Sequence, residues 1–151
     1  MLGAHDYNVV MAHPVSIRFR NPGVTERLKE QAAVEGRSTS DLAEELIDEG
    51  LRLRRHPLVM FRDGTAGRRP ALTGGPDVWE VIGSLLHGDV PAPDRVDRAE
   101  AEFGLRHQLV EAALAYYAEF TQEIDDWIAA NNSAADELEA RWRRQQNLLA
   151  S

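Results

Sequence analysis

Hydrophobic and polar residues alternate strictly from Val15 to Arg20, and this pattern predicts a short β-strand. One face of the strand would carry Val15, Ile17 and Phe19. The opposite face would carry Ser16, Arg18 and Arg20. No stretch nearby in the sequence pairs with this segment, although the backbone of a strand needs hydrogen-bond partners. The pattern therefore predicts an antiparallel ribbon formed by two copies of the chain, which makes the protein at least a dimer.

Two helices are predicted directly after the strand. Asn21-Pro22 starts the first helix, because proline fits a first turn, and Gly36 ends it. Ser38 forms a capping box with Asp41 at the start of the second helix, and Pro57 ends that helix. Apolar residues recur at helical spacing in both segments: Val24, Leu28 and Ala32 in the first, and Leu42, Ala43, Leu46, Ile47 and Leu51 in the second.

The pattern changes at His56-Pro57, where we place a domain boundary. Residues 58–61 and 69–72 predict a β-hairpin around a glycine-containing turn. Asp77 caps a following helix, and further helices are predicted from Asp94 to Phe103 and from Leu105 to Phe120, joined at Gly104 as in a helix-turn-helix. Residues 131–133 are predicted to cap a last helix with the apolar stripe Ala135, Leu138, Trp142 and Leu149. The predicted fold is mainly α: a flexible arm (1–12), a first domain (13–57), a hairpin plus three-helix domain (58–131) and a C-terminal helical tail (132–151).

The first domain resembles the ribbon-helix-helix DNA-binding domains. The polar strand face and the run from Gly36 to Leu42 carry the resemblance. A two-stranded ribbon fits the DNA major groove, where arginine bonds bidentately to guanine, so the predicted base-reading residues are Ser16, Arg18 and Arg20. The resemblance implies that the start of the second helix binds DNA phosphates through backbone amides, at Ser38, Thr39 and Ser40. An edge strand of an ordinary α+β domain is the alternative for residues 15–20.

The second domain is similar to the domain of unknown function numbered 433, which is found in VapB-type antitoxins and has a homeodomain-like three-helix core. The similarity covers roughly residues 61–125, and its motifs are the runs 67–74, 78–82 and 112–117. One departure from the family is Gly74-Gly75-Pro76, because the family tends to have Gly-Thr-Arg after the second strand. No role of that arginine is carried over to this chain.

Charge restricts where nucleic acid can bind. The net charge is −8, and residues 58–126 hold 6 basic and 13 acidic side chains. Phosphates should repel this middle segment, whereas the predicted ribbon face is purely basic. The second helix-turn-helix offers Arg106, His107 and Gln108, but Glu111, Glu119 and Glu123 follow. It is therefore interpreted as a packing or partner-binding scaffold, with DNA contact left open.

Composition favours a cytoplasmic, non-enzymatic protein. The chain has no cysteine, which excludes disulfides and thiolate metal sites and favours a reducing, bacterial cytoplasm. No apolar run approaches the length of a membrane span, and the start lacks the features of a signal peptide. The five histidines are isolated, and Asp125 and Asp126 point apart on a helix. We therefore expect no enzyme activity, no metal and no cofactor.

The two resemblances together imply the antitoxin of a type II toxin–antitoxin pair. Such a protein represses its own operon as a DNA-bound dimer and neutralises a cognate toxin, here expected to be a PIN-like ribonuclease. The predicted toxin-binding residues lie in the C-terminal half: Trp127, Arg141, Trp142, Arg143 and Arg144. Three alternatives stay open at this point. One is a stand-alone ribbon-helix-helix transcription regulator, and another is a dimeric interaction protein that does not bind DNA. The third concerns the tail, which would be packed on its own core.

Overall fold

The computed structural model describes residues 15–86 and 91–149. The fold is mainly helical with one small antiparallel hairpin, as predicted. The described elements are α1 (Pro22–Glu35), α2 (Thr39–Arg55), β1 (Val59–Gly64), β2 (Gly67–Leu72), α3 (Val78–Leu86), a short 3-10 turn (Ala92–Asp94), α4 (Arg95–Phe103), α5 (His107–Glu119) and α6 (Thr121–Leu149). The predicted arm at residues 1–12, together with His13 and His87, lies outside the described residues.

The chain divides into two compact units, residues 1–46 and residues 47–151. In the first unit, the predicted helix ends are confirmed. The Asn21 side chain accepts a hydrogen bond from the Gly23 amide at 2.9 Å, and Gly36 ends α1 with a φ of 65°. The Ser38 hydroxyl accepts from the Asp41 amide at 3.0 Å, which caps α2. These local bonds satisfy backbone groups that a helix end leaves without partners.

The predicted strand at residues 15–20 is not formed in the single chain. These residues lie outside any helix or strand, and all of their side chains are exposed. Val15, the first apolar residue of the pattern, is 82% exposed. A ribbon of two chains requires ladder hydrogen bonds from a second copy, so the single chain does not test it and the ribbon stays a prediction.

The second unit is built on the predicted hairpin, but its strands extend into residues 62–64 and 67–68, which were predicted to lie between the strands. β1 and β2 pair antiparallel from Val59 opposite Leu72 to Gly64 opposite Gly67, so the turn consists of Thr65 and Ala66. Gly67 has a φ of 118°, which only glycine adopts without strain. The hairpin and helices α3 to α6 enclose one core. Its fully buried side chains include Leu72, Val78, Val81, Ile82, Val110, Tyr116 and Ile124.

The last helix begins earlier than predicted. A cap at residues 131–133 is wrong, because α6 is one continuous helix of 29 residues from Thr121 to Leu149. Ile124 and Ile128 anchor its first turns in the core, and each further residue then adds a helical hydrogen bond to an existing helix. Asparagine and serine are capping residues by preference, but an anchored helix runs through them. The start of α5 at His107 also differs, by two residues, from the predicted Leu105.

No helix in residues 15–86 or 91–149 combines the length and apolar character that crossing a membrane requires.

A substitution at Gly104 tests the turn between α4 and α5, because the φ of this residue, 62°, lies in the left-handed region. Gly104→Ala should lower the free energy of unfolding by about 1 kcal/mol, since a Cβ disfavours that conformation. The matched control is Gly50→Ala within α2, where a Cβ meets nothing within 4 Å. That control should stabilise slightly, by about 0.5–1 kcal/mol. Urea denaturation of both variants checks the pair, and equal effects would contradict the assigned turn.

Candidate functional surfaces

The predicted base-reading residues sit on an exposed, irregular segment. Ser16, Arg18 and Arg20 are all open to solvent. Without strand geometry, the single chain does not hold their side chains on one face. Their alignment, and with it the groove-reading surface, depends on the partner strand that a second copy would supply.

The predicted phosphate site lies at the exposed start of α2. Ser38, Thr39 and Ser40 are exposed, and the Ser38 hydroxyl is already engaged as the cap. The neighbouring Arg37 pairs with Glu45 at 2.9 Å and with Glu35 at 3.4 Å. The hydrogen bond that Arg37 donates to Glu45 is the main reason that the pKa of Arg37 is raised. Anion binding here would therefore rest on backbone amides and on the helix dipole, not on a free guanidinium.

The predicted toxin-binding residues divide into two places on α6. Trp127 is half-buried in the body of the second unit and lines a cavity of about 280 Å³ together with Arg69 and Trp79. Arg141, Trp142, Arg143 and Arg144 lie in the exposed part of the helix, at least about 20 Å further along at 1.5 Å per residue. The structure therefore groups four of the five predicted residues and leaves Trp127 apart.

The exposed part of α6 keeps its apolar and charged side chains open. Leu138 is 65% exposed and Trp142 is 60% exposed. From residue 129 to 149 every residue is exposed except the half-buried Ala140, so a tail packed on its own core is wrong for this segment. Arg141 pairs with Glu137 at 3.6 Å, and Arg143 pairs with Glu139 at 2.5 Å. Exposed ion pairs of this kind contribute little to the stability of the fold. Each arginine can therefore leave its partner readily and pair with another carboxylate.

Sequence reasoning missed an ion cluster centred on Asp77. This carboxylate is only 2% exposed. It accepts hydrogen bonds from Arg62 Nε at 2.8 Å, from Arg69 Nε, and from the Trp79 indole at 3.2 Å. Burial by itself would raise the pKa of Asp77, but the hydrogen bonds and charges of Arg69 and Arg62 outweigh it and hold that pKa below the ordinary value. Asp77 is therefore a charged anchor as well as the predicted helix start.

A signal for this cluster was present in the hairpin pattern. The register places Arg62 directly opposite Arg69. Two like charges facing each other across strands destabilise a hairpin unless an anion lies between them. A two-residue turn and this pair of arginines thus predict a nearby carboxylate, which is Asp77.

A second cluster joins the end of α2 to α5 and α6. Arg52 donates to the Tyr116 hydroxyl at 2.8 Å and to Glu123 at 2.6 Å, and its guanidinium lies 4.2 Å from the Phe120 ring centre. Burial raises the pKa of the Tyr116 hydroxyl, although the hydrogen bond from Arg52 acts in the opposite direction. The cation–π contact and the ion pair fix this end of α2 on the core.

The predicted helix-turn-helix segment exposes Arg106, His107 and Gln108 at the start of α5. His107 contacts two carboxylates, with Glu100 at 2.5 Å and Glu111 at 3.3 Å. Glu100 is the main cause of the raised pKa of His107. Because two carboxylates contact this side chain, the surface offers little net attraction for phosphate, whereas the opposite face of α5 is buried in the core.

Comparison of the chain with protein-family models, with curated proteins and with solved structures found no match.

Asp77→Asn tests the cluster. Whichever way the new amide is oriented, its NH2 group faces arginine donors, so the substitution should cost about 3 kcal/mol in the free energy of unfolding. The control is Asp63→Asn on the same hairpin, because that exposed carboxylate pairs with Arg68 at 3.3 Å and should cost less than about 1 kcal/mol.

The pH dependence gives a second readout of the same substitution. The lowered pKa of Asp77 contributes stability above its ordinary pKa of 3.8, and this contribution is lost as the pH falls below that value through the folded-state pKa. The wild type should therefore lose stability below pH 3.8 more steeply than Asp77→Asn. If the stability of the two proteins fell equally steeply with pH, Asp77 would not be charged in the folded state.

Proposed function

We propose that the chain is the antitoxin of a type II toxin–antitoxin pair. Residues 15–55 bind operator DNA as a homodimer, and the exposed part of α6 binds the cognate toxin, a PIN-like ribonuclease. The observation that carries the proposal is that apolar and basic side chains are exposed together in these two segments, while the hairpin, helices α3 to α5 and the first turns of α6 enclose a core. The protein has no catalytic role and uses no cofactor in this proposal.

Exposed apolar side chains support the dimer. The single chain leaves Val15, Ile17 and Phe19 exposed, and also Leu46, Ile47 and Leu51 on α2. All six are residues that the sequence pattern assigns to apolar faces. Apolar positions with this spacing are buried in a stable fold, and a second copy would cover them through a ribbon and its helices.

Charge supports the assignment of DNA to the N-terminal segment. Arg18 and Arg20 alternate with the apolar residues, so a ribbon that buries the apolar face would turn both guanidiniums outward. Guanidinium forms bidentate bonds to the guanine edge in the major groove. The acidic surplus of residues 58–126 repels phosphates and would direct DNA away from the second unit.

The exposed helix supports the assignment of the toxin. The resemblance to VapB-type antitoxins implies a toxin whose active site is lined with metal-binding carboxylates. Arg141, Arg143 and Arg144 would pair with those carboxylates, since guanidinium matches a carboxylate with two parallel hydrogen bonds. Trp142 would be the apolar anchor, because a large aromatic side chain that becomes buried contributes much of the binding free energy of an interface.

The DNA surface is tested with the DNA upstream of the chain's own gene in a gel-shift titration. Arg18→Ala should weaken binding by about 1–3 kcal/mol and relax sequence preference, as loss of a base contact does. Ser38→Ala should weaken binding to all sequences alike, because it disturbs only the phosphate-binding helix start. Arg27→Ala, an exposed substitution on α1, is the control and should have little effect. Unchanged binding by Arg18→Ala would overturn the groove assignment.

The toxin surface is tested with a chain that ends at Asn131. This truncation keeps Ile124 and Ile128, which anchor α6 in the core, and removes the exposed segment. It should keep operator binding and lose protection of cells that express the neighbouring toxin gene. Trp142→Ala should reduce protection in the full chain, whereas Ser133→Ala, on the outer face of α6, should not. Full protection by the truncated chain would favour residues 58–126 as the partner surface, and absence of any toxin would favour a stand-alone regulator.

A further inference from the structure

The apolar stripe of α6 follows a heptad repeat that begins inside the core. Its core positions are separated alternately by four and three residues. They are Ile124, Ile128, Asn131, Ala135, Leu138, Trp142, Gln145 and Leu149. Ile124 and Ile128 are buried, whereas the rest of the stripe is exposed on the same side of the helix. One helix face is therefore covered by the body of the second unit in its first turns and uncovered beyond them.

The apolar residues of the exposed segment are arranged nearly symmetrically about Ala140. Leu138 and Trp142 lie two residues before and after it, and Asn131 and Leu149 lie nine residues before and after it. The charges reverse sign about the same point. Asp136, Glu137 and Glu139 precede Ala140, and Arg141, Arg143 and Arg144 follow it. A helix with this order is complementary to a second copy of itself that runs in the opposite direction.

We propose that the exposed part of α6 pairs antiparallel with the same segment of a second copy, with the two-fold axis at the level of Ala140. Leu138 then packs against Trp142 of the other copy, and Ala135 packs against Gln145. In an antiparallel coiled coil, each a position of one helix packs against a d position of the other, as it does here. The two copies use the same surface, as a closed two-fold dimer requires.

The register also gives Leu149 a place to bind. It lies at the level of Asn131 in the other copy. There a groove of about 520 Å³ is lined by Trp79, Phe103 and Ile128 as well as by Asn131. An exposed leucine at the end of one helix thus meets the apolar side chains of this groove, which polar residues such as Glu80 and Glu102 also line, at the base of the other. The interface would then continue along the exposed stripe as far as this groove.

The charges decide the direction of pairing. In a parallel pair the acidic segments of the two copies would lie side by side, as would the basic segments, whereas an antiparallel pair places acidic beside basic. Like charges meet only at the axis, where Glu139 faces Glu139 of the second copy and Arg141 faces its equivalent. Each of these has an oppositely charged neighbour in its own helix, Glu139 with Arg143 at 2.5 Å and Arg141 with Glu137 at 3.6 Å.

This pairing goes beyond the proposed function, because it concerns the free protein and does not require DNA or a toxin. A toxin that binds the same stripe would displace the second copy. Before a toxin binds, a second copy of the protein then covers the stripe.

Disulfide trapping in the full chain tests the pairing, because the natural sequence contains no cysteine. The variant Ala135→Cys/Gln145→Cys is oxidised and then digested with trypsin, which cleaves after Arg141 and Arg144 and separates the two cysteines. The two positions of one helix are about 15 Å apart, too far for a disulfide within one chain. The control is Ser133→Cys/Asn147→Cys, which places cysteines at the same levels on the outer face.

The expected product is peptide 107–141 joined to peptide 145–151, at about tenfold higher yield than in the control, and adding Trp142→Glu should lower that yield by about tenfold. Products that join 107–141 to itself and 145–151 to itself would show a parallel pair and overturn the proposal. No cross-link, or equal cross-linking in the control, would also overturn it. These outcomes are independent of the operator-binding and toxin-protection results, so failure of this pairing is distinguishable from failure of the proposed function.

Discussion

The carboxylate of Asp77 is the contact on which the second unit depends. The hairpin register sets Arg62 opposite Arg69, and an anion between two facing guanidiniums offsets their repulsion. Asp77 supplies that anion and at the same time stands at the start of α3, where its amide donates to Glu80 at 2.9 Å. One buried residue thus links the charge of the hairpin to the position of the first core helix. The Trp79 indole is oriented by the same carboxylate, at 3.2 Å.

Helix α6 has two roles because only part of it is covered. Ile124 and Ile128 pack in the core and fix the direction of the helix, and the rest of the helix extends with its apolar stripe exposed. A preformed helix loses less conformational entropy on binding than a segment that must fold on its partner. The fixed part of α6 would therefore favour binding by the exposed part, both to the proposed toxin and to the proposed second copy.

The two units differ in how completely their apolar residues are covered. The second unit encloses a core that includes Tyr116, Leu72 and Ile82, all almost fully buried. In residues 15–46, by contrast, Val15, Ile17 and Phe19 stay exposed although their spacing is that of a buried face. The proposed dimer would supply the cover that these side chains lack in the single chain.

The sequence by itself determined those features that depend on neighbouring residues. The ends of α1 and α2, the hairpin turn and the glycine turn at Gly104 follow from hydrogen bonds and backbone preferences within a few residues, and all were predicted. The sequence likewise placed Arg141, Trp142, Arg143 and Arg144 on one helix, and α6 carries all four. It did not separate Trp127 from them, since burial against the body of the unit is not a local property.

Only the tertiary structure decided the rest. The contact of Arg52 with Glu123 joins residues 71 positions apart, and the Asp77 cluster depends on which strand faces which helix. The same holds for α6, whose local signals favoured a new start at residues 131–133. Its anchoring by Ile124 and Ile128 in the core continued the helix through them. Capping preferences differ by about 1 kcal/mol, whereas burying an apolar side chain contributes about 1.5–3 kcal/mol, so packing overrides the local preference where the two disagree.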